Sequence, residues 1–496
     1  MSTQVWQRPF GAVPHEEGVE FRVWAPRASQ VRVRVHGGEH DLAEVGDGVW
    51  AGEVFADAGD DYLFLVDGEA WPDPCSRFQP EGVKGPSRIV DTSAFRIADG
   101  PELCLDDLVL YELHVGTFTT EGTFDAIVPE LRRLRELGVT AIELMPIATF
   151  PGDRGWGYDG LYTYAPHPAY GGPEGLARLV NAAHEEGLGV FLDVVYNHIG
   201  PGNEAITAFA PYFTDRHSTP WGDAIDYSQR AVREWAIQNA LMWTTDYKVD
   251  GLRLDAVHAV YDDSPVHVLR ELKERVPGLI TSEMGPDDFR PLEEWGHDAM
   301  WLDNLHHELH VMLTDEHEGY YEHYGTPEGL VRELTRERPE RLIVAAQNHD
   351  QVGNRAVGDR LPPDAHRVAL AVVLFSTCTP LLFMGEEHDE RAPFQFFSDH
   401  VDPFIANATR EGRKKEFEAF TQFSGEEVPD PQDVATFDRS KISHPEPDAF
   451  YRELIALRRD LPRELEVQLA GRQLTMRRGD ATLVADLDAK TVELRR

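Results

Sequence analysis

The stretch VDGLRLDAVHAV, residues 249–260, has the pattern of a buried strand that carries two charged side chains. Because side chains alternate along a strand, Leu252 and Leu254 share one face, while Arg253 and Asp255 share the other. Charged groups in a buried space normally occur as pairs, so the guanidinium would keep the acid ionised. By itself the stretch fits either a structural ion pair or a catalytic acid.

Short apolar runs recur on both sides of this stretch. They alternate with segments in which apolar residues follow helical spacing, such as 124–138, 175–186 and 229–247. This alternation predicts an α/β protein with a parallel sheet, and eight repeats predict a (β/α)8 TIM barrel. The predicted barrel strands are 108–115, 140–147, 189–195, 250–256, 279–283, 298–303, 342–348 and 380–387.

The segments that flank the predicted barrel have β patterns. Short alternating strands at 19–23 and 31–35, with turns at short intervals, predict an N-terminal β-sandwich. A helical connector at 447–462 precedes several short strands, which predict a small C-terminal β domain. The expected domains are a sandwich at 1–100, a catalytic barrel at 101–445 and a β domain at 446–496.

Composition and charge narrow the class of protein. A chain of 496 residues is too long for a single compact core, and its net charge of −40 argues against nucleic acid as a partner. No apolar run approaches the roughly 20 residues that cross a bilayer, and no signal peptide is evident, so no membrane partner is expected. Cys75, Cys104 and Cys378 lack metal-ligand spacing and indicate a reduced, cytoplasmic protein.

A barrel predicts where functional side chains lie, because active sites of this fold form at the C-terminal ends of the strands. Acids, histidines and an asparagine follow the predicted strands, and their convergence predicts a catalytic pocket. The side chains so placed are His114, Asp193, Asn197, His198, Arg253, Asp255, Glu283, Asp303, His349, Asp350, Glu386 and Glu387.

Several of these strand ends also form motifs. DVVYNH (193–198), GLRLDAVH (251–258), TSE (281–283) and QNHDQ (347–351) resemble, in order and spacing, the signature regions of the α-amylase superfamily, glycoside hydrolase family 13. FRVWAPRAS (21–29) resembles the opening of the carbohydrate-binding-type module that precedes many starch-processing barrels. The resemblance implies a retaining glycoside hydrolase.

The resemblance assigns catalytic roles to three residues. Asp255 aligns with the nucleophile, Glu283 with the general acid/base, and Asp350 with the carboxylate that holds sugar hydroxyls. A retaining glycosidase needs one ionised and one protonated carboxyl, about 5–5.5 Å apart. We expect Arg253 to keep Asp255 ionised, and desolvation to protonate Glu283.

Other positions match binding and support residues of the family. His198 and His349 match histidines that hydrogen-bond the sugar in the cleaved subsite, and Tyr158 matches a stacking aromatic. Trp221 aligns with an aromatic of the leaving-group region, although a loop anchor is the alternative. The expected substrate-binding residues are Tyr158, His198, Trp221, Arg253 and His349, with Asn304, His306 and Glu387 as weaker candidates.

Two residues are expected to support the site. Asp193 resembles the structural partner that positions Arg253. Asn197 matches a position that is a calcium ligand in many amylases, but no further ligands can be identified, so neither a metal nor a cofactor is predicted. The role of His258, three residues past the nucleophile, stays open.

Further stretches resemble one subfamily, whose members release trehalose from malto-oligosyltrehalose. The motifs at 393–400, 411–420 and 428–442 decide this, because ordinary amylases and branching enzymes lack them. The implied reaction is hydrolysis of the α-1,4 bond next to the terminal trehalose. The loop at 198–228 is too short for an inserted domain and should leave the leaving-group side open. Met284, directly after the acid Glu283, departs from the family, which more often has a small polar residue at this position.

Two alternatives remain at this stage. One is another α-glucan enzyme of the superfamily, such as a branching enzyme or an α-amylase. The other is a non-catalytic binding protein that has kept the fold, although such proteins lose carboxylates that are all present here. The sequence does not indicate the oligomeric state.

Overall fold

The computed structural model describes residues 2–417 and 428–496, so the last three residues of the 411–420 motif lie outside the described residues. Its N-terminal part is built from strands that are short and mostly antiparallel. They are β1 (Gly11–His15), β2 (Gly18–Trp24), β3 (Val31–Val35), β4 (Gly38–Asp41), β5 (Ala43–Gly46), β6 (Val49–Val54), β7 (Asp61–Val66), β8 (Glu69–Trp71) and β9 (Ser87–Arg88).

These strands form the predicted sandwich. One sheet has the order β1-β2-β6-β5, and the facing sheet has the order β4-β3-β7-β8, with β9 paired to β7. The valines of β3 are buried while its arginines are half-buried, the alternation of a sheet with one packed face. Phe21 of β2 packs across the interface on Tyr62 of β7, with ring centroids 5.0 Å apart.

The central part contains barrel strands and two accessory hairpins. In chain order the strands are β10 (Leu110–Leu113), β11 (Ala141–Leu144), β12 (Ala148–Thr149), β13 (Tyr162–Pro166), β14 (Gly189–Val194), β15 (Phe213–Thr219), β16 (Gly222–Ile225), β17 (Gly251–Leu254), β18 (Leu279–Ser282), β19 (Ala299–Trp301), β20 (Leu342–Ala345) and β21 (Thr379–Phe383).

Within the described residues, eight of these strands close a parallel barrel in the order β10-β11-β14-β17-β18-β19-β20-β21. The last strand, β21, pairs again with β10 and completes the ring. The predicted (β/α)8 barrel is therefore confirmed, and each predicted strand is present with slightly shorter bounds. The accessory hairpins are β12-β13 and β15-β16.

Helices follow most barrel strands, and no helix in residues 2–417 or 428–496 is both long and apolar enough to cross a bilayer. The helices given next include some of a single turn, such as the first two. They are α1 (Val115–Phe118), α2 (Phe124–Ile127), α3 (Leu131–Leu137), α4 (Gly172–Glu185), α5 (Glu204–Phe209), α6 (Arg230–Leu241), α7 (Val268–Arg275), α8 (Arg290–Glu293), α9 (Asn304–Thr314), α10 (Pro327–Leu334), α11 (His349–Gly353), α12 (Pro363–Phe375), α13 (Pro403–Phe417), α14 (Val434–Arg439) and α15 (Ala449–Asp460).

The two faces of β17 explain how the barrel holds charge. Leu252 and Leu254 belong to the large core that the helices cover, as the alternation in the sequence predicts. The opposite face points into the barrel, where Arg253 is fully buried. Gly251 lies on this inner face, and a Cβ there would stand 2.3 Å from the Phe191 ring. The glycine therefore leaves room for the Phe191 ring inside the barrel.

The C-terminal part confirms the predicted β domain. After α15 the chain forms β22 (Glu466–Ala470), β23 (Gln473–Arg478), β24 (Ala481–Asp486) and β25 (Thr491–Arg495), an antiparallel sheet in sequence order. Its attachment uses arginines: Arg478 donates to the carbonyl of Phe375 at 3.2 Å, and Arg458 to that of Leu374 at 3.3 Å. These contacts satisfy carbonyls at the C-terminal end of α12, where a helix lacks internal partners.

Candidate active site

One guanidinium lies at the centre of the site. Arg253 donates from Nη1 to Asp193 Oδ2 at 2.7 Å and to Asp255 Oδ1 at 2.8 Å, and from Nη2 to Glu283 Oε2 at 2.7 Å. Its guanidinium carbon also lies 4.3 Å from the centre of the Trp301 ring. The carboxyl groups from the ends of β14, β17 and β18 are thus held by a single cation inside the barrel.

The backbone after Asp255 contributes a second contact to Glu283. Ala256 has φ 39° and ψ 52°, a left-handed conformation that is unfavourable by about 1–2 kcal/mol for a residue with a Cβ. In this conformation its N–H donates to Glu283 Oε2 at 3.0 Å. Oε1 receives no hydrogen bond from any described residue, so a proton on this carboxyl would lie on Oε1.

The expected desolvation of Glu283 is only partial. Its side chain is 21% exposed, and its buried oxygen faces a cation and an N–H donor. Burial among apolar groups is therefore not the main feature of its surroundings.

Asp350 reaches the site from α11. Its Oδ2 lies 3.4 Å from His349 Nε2, and its Oδ1 accepts from Asn354 at 3.0 Å. The side chain is 38% exposed, so it faces the open part of the site. The position in the first turn of a helix also favours a negative charge there.

His349 and Tyr158 connect Asp350 to the buried aspartate of β14. Tyr158 donates its hydroxyl to Asp193 Oδ2 at 2.6 Å, and the same oxygen lies 2.8 Å from His349 Nε2. The rings of Tyr158 and His349 stack with centroids 5.3 Å apart. Burial raises the pKa of Asp193 to about 7, against the opposing positive charge of Arg253.

Asn197 and His198 lie on the other side of Asp255. Asn197 Nδ2 donates to Asp255 Oδ2 at 2.7 Å and to its backbone carbonyl at 2.9 Å. Its amide oxygen is bound by His198 Nδ1, and His198 Nε2 lies 2.9 Å from the carbonyl of Tyr158. Both ring nitrogens of His198 are therefore already used, and a sugar would have to displace one of them or pack on the ring.

Trp221 lies between β15 and β16 and covers this histidine. The rings of Trp221 and His198 stack at 4.4 Å with an interplanar angle of 10°, while 49% of Trp221 stays exposed. The 198–228 loop thus consists of the short helix α5 and the β15-β16 hairpin, and the turn of the hairpin places Trp221 against His198.

A cavity of about 830 Å³ opens beside the carboxyl groups, within the size range of ligand sites. Glu283 and Asp350 line it together with Asn304, and Met284 supplies an apolar wall directly after the acid. Pro220, next to Trp221, lies at the same cavity. His258 lines it as well, although it makes no contact with the catalytic carboxyls that would define a role.

Not all the predicted strand-end residues converge on this cavity. Glu387 is fully buried against Tyr111 and Arg133, so its candidacy for the leaving-group region is wrong. His306 bonds to the carbonyl of Ala346 and to Tyr321 and has a packing role. Two further residues are similarly engaged elsewhere, His114 with Thr117 and Gly155, and Glu386 with Gln347 and His366.

The sequence patterns do not single out two residues that the structure places at the site. Trp301 packs on Arg253, and Glu112 binds His349 Nδ1 at 2.5 Å. Burial and the negative charges of Glu283 and Asp350 raise the pKa of Asp303 to about 7. Asp303 is one of the strand-end residues expected from the sequence, and Glu112 lies near the end of a barrel strand, the position that could have indicated it.

A closed (β/α)8 barrel with these carboxyls at its strand ends defines the α-amylase class of glycoside hydrolases. Residues 86–219 match the family described as "Alpha amylase, catalytic domain", and residues 9–84 match "Carbohydrate-binding module 48 (Isoamylase N-terminal domain)".

Two similar proteins indicate which family within this class the chain belongs to. The chain is 44% identical to the malto-oligosyltrehalose trehalohydrolase of Deinococcus radiodurans, over 91% of this chain and 82% of the relative. It is 38% identical to the malto-oligosyltrehalose trehalohydrolase of Saccharolobus solfataricus, over 97% and 93% of the two chains. The chain therefore belongs to the malto-oligosyltrehalose trehalohydrolase family and is a glycoside hydrolase.

A solved structure of an amylase-type protein has the same fold. A Salmonella typhimurium protein, described as a candidate alpha amylase, superposes with a TM-score of 0.87 at 38% identity, over 96% of this chain and 92% of that chain.

Proposed function

We propose that this chain hydrolyses the α-1,4-glucosidic bond next to the terminal trehalose of malto-oligosyltrehalose. The products are trehalose and a malto-oligosaccharide of retained configuration. The observation that carries the proposal is the meeting of Asp255 and Glu283 on the guanidinium of Arg253, with Asp350 facing the same cavity. Relatives that carry the trehalohydrolase name over nearly the whole chain support the choice of substrate.

In the first step Asp255 attacks the anomeric carbon of the glucosyl unit. Arg253 and Asn197 each donate to one of its oxygens, which fixes the orientation of the carboxylate. The bond from the anomeric carbon to trehalose breaks as the bond to Asp255 forms. Glu283 gives the proton on Oε1 to the departing trehalose oxygen.

In the second step water enters where trehalose has left. Glu283, now ionised, takes a proton from the water, whose oxygen bonds to the anomeric carbon. The bond to Asp255 breaks and the malto-oligosaccharide leaves with its α configuration. Asp350, near His349, is placed to hold sugar hydroxyls while positive charge develops on the ring.

The residues around the cavity suggest how the leaving group is recognised. Trp221 offers an exposed aromatic surface, and the adjoining Pro220 lines the cavity of Glu283. Sugar rings pack well on such surfaces, because aromatic faces remove apolar C–H groups from water. Asn304, on the cavity wall, adds a polar contact for a hydroxyl.

The proposal also covers the cellular compartment of the protein and its binding partners. All three cysteines are free, with Cys75 and Cys378 buried, which is compatible with a reduced compartment. A cytoplasmic location, and the absence of nucleic acid as a partner for a chain of charge −40, remain predictions.

Product analysis tests the proposed function. The full-length chain is incubated with maltotriosyl trehalose and, separately, with maltopentaose, and the products are separated over time. We expect free trehalose from the first substrate and much slower cleavage of the second. Efficient cleavage of maltopentaose would indicate an amylase, and transfer to a branched product would indicate a branching enzyme; either result would overturn the proposal.

A further inference from the structure

Glu112 lies beneath the site, on the inner face of β10. It is 1% exposed, and its two oxygens both bind the same residue. Oε1 accepts from His349 Nδ1 at 2.5 Å, and Oε2 accepts from the backbone N–H of His349 at 2.9 Å. One carboxylate thus fixes both the main chain and the ring of a histidine at the mouth of the barrel.

The hydrogen bonds on the other side of the ring determine its protonation. Asp193 Oδ2 accepts from Arg253 and also from the Tyr158 hydroxyl, which uses the one hydrogen of that hydroxyl. The Tyr158 oxygen therefore accepts from His349 Nε2 at 2.8 Å. Because Nδ1 donates to Glu112, both ring nitrogens of His349 carry hydrogen, which is the imidazolium form.

We propose that Glu112 is a positioning residue that holds His349 as an imidazolium, with its Nε2–H on the Tyr158 oxygen and its positive charge beside Asp350. Neutral histidine could not donate from both nitrogens, and a ring rotated about χ2 would lose Glu112. The arrangement places a cation 3.4 Å from Asp350 Oδ2. The consequence for turnover rests on the proposed hydrolase function.

The electrostatic surroundings agree with this geometry. Burial lowers the pKa of His349, but the negative charges of Asp350 and Glu112 outweigh it and raise the pKa to about 10. Arg253 opposes them with its positive charge. The titratable and charged groups that face the ring from the neighbouring elements are Glu112, His114, Glu143, Tyr158, Asp193, Arg253, Asp303 and Asp350.

Glu143 provides a matched control. It pairs with Glu112 in the β10-β11 register and is also 1% exposed, yet neither of its oxygens has a hydrogen-bond partner among the described residues. Burial and the negative charge of Glu112 raise its pKa well above the usual range, which favours the neutral acid. Glu143→Gln therefore changes no charge, whereas Glu112→Gln removes one and presents an amide to His349.

The first measurement does not depend on activity. The full-length chain is labelled with ¹⁵N-histidine, and the signal that disappears in His349→Gln is assigned to His349. We expect a doubly protonated ring at pH 8 in the wild type and in Glu143→Gln, and a pKa lower than the wild-type value in Glu112→Gln. A neutral His349 in the wild type at pH 8 overturns the proposal, even if Glu112→Gln does not fold.

The second measurement is the pH profile of kcat on maltotriosyl trehalose. Glu112→Gln should lose about 10- to 100-fold in kcat, the range typical when the carboxylate behind a metal-ligating histidine is removed. Its alkaline limb should move to lower pH, while Glu143→Gln keeps the wild-type profile. Adding Glu112→Gln to His349→Gln should have no further effect on kcat.

The outcomes separate this proposal from the proposed function. If the wild type releases no trehalose, the function fails, while the histidine signal still decides the role of Glu112. If the wild type is active and Glu112→Gln keeps its kcat and pH profile, Glu112 does not position His349. An additive loss in the double variant overturns the proposal as well, because Glu112 would then act independently of His349.

Discussion

At the scale of single residues, the site depends on how one cation is shared. Arg253 is completely buried, and a buried charge is tolerated only when it is paired and hydrogen-bonded. Asp193 and Asp255 supply the pairing on one side and Glu283 on the other. Since Oε1 of Glu283 receives no hydrogen bond from the described residues, the network that orients Asp255 also selects the Glu283 oxygen that transfers the proton.

Glu283→Gln tests this assignment. The amide keeps the size of the side chain but cannot give or take the proton, so we expect kcat on maltotriosyl trehalose to fall by about 10²–10⁴-fold or more. Substrate affinity, measured by calorimetry, should change little. Glu294→Gln, at an exposed position on the same segment, should behave as the wild type. Near-normal turnover of Glu283→Gln would refute the acid/base role.

At the scale of elements, the β15-β16 hairpin adds a wall that the barrel lacks. It is a short insertion after β14, and its turn places Trp221 flat on His198. The histidine is in turn bound to Asn197, which orients Asp255. The exposed face of the tryptophan is therefore held in place through His198 and Asn197, the residue that binds the nucleophile Asp255.

Trp221→Ala should weaken binding of the substrate without unfolding the chain. Loss of a stacking surface is worth about 1 kcal/mol, so we expect kcat/KM for maltotriosyl trehalose to fall about fivefold, with Trp221→Phe in between. Because half of the side chain is exposed, Tm should change little. Phe55→Ala removes an exposed aromatic of the N-terminal sandwich and serves as the control. An unchanged kcat/KM in Trp221→Ala would mean that the tryptophan only anchors the loop.

At the scale of the whole molecule, a buried charge network ties the end of β21 to distant segments. Glu387 binds Arg133 of the α3 segment at 2.8 Å, and His388 lies between Glu387 and Glu390. Burial lowers the pKa of His388, but hydrogen bonds to these acids outweigh it and raise the pKa to about 9. His366, between Asp389 and Glu386, also has its pKa raised to about 9 against the effect of burial.

These histidines predict how stability depends on pH. Above pH 6.5 the unfolded chain releases protons that the folded chain still holds, so the free energy of unfolding is highest below that pH and falls as pH rises through about 9. Each pKa unit corresponds to about 1.4 kcal/mol. Calorimetry at pH 6.5 to 9.5 should therefore show a falling Tm.

Variants test the source of this slope. His388→Gln should flatten the fall in Tm, while His40→Gln, at an exposed site in the N-terminal sandwich, should keep the wild-type slope. A Tm that is constant between pH 6.5 and 9.5 in the wild type would contradict the prediction.

Much of this molecule can be predicted from local pattern. The alternation of Leu252 and Leu254 with Arg253 and Asp255 already specifies which face of β17 is apolar. The repeated strand-and-helix rhythm predicts the barrel, because parallel strands need crossover connections, usually helices, that pack against the face of the sheet. The motifs after the strands predict the family, and the relatives confirm it.

The sequence by itself thus determined the barrel, its flanking β domains and the set of polar residues at the strand ends. Only the tertiary structure decided which of these residues share the cavity. Glu387 lies outside the cavity because it pairs with Arg133, which is 254 positions away in the sequence. Glu112 lies beneath the site and binds His349, which is 237 positions away. The direction of a strand-end side chain depends on charges supplied by distant segments, since a buried charge must lie where its partner is.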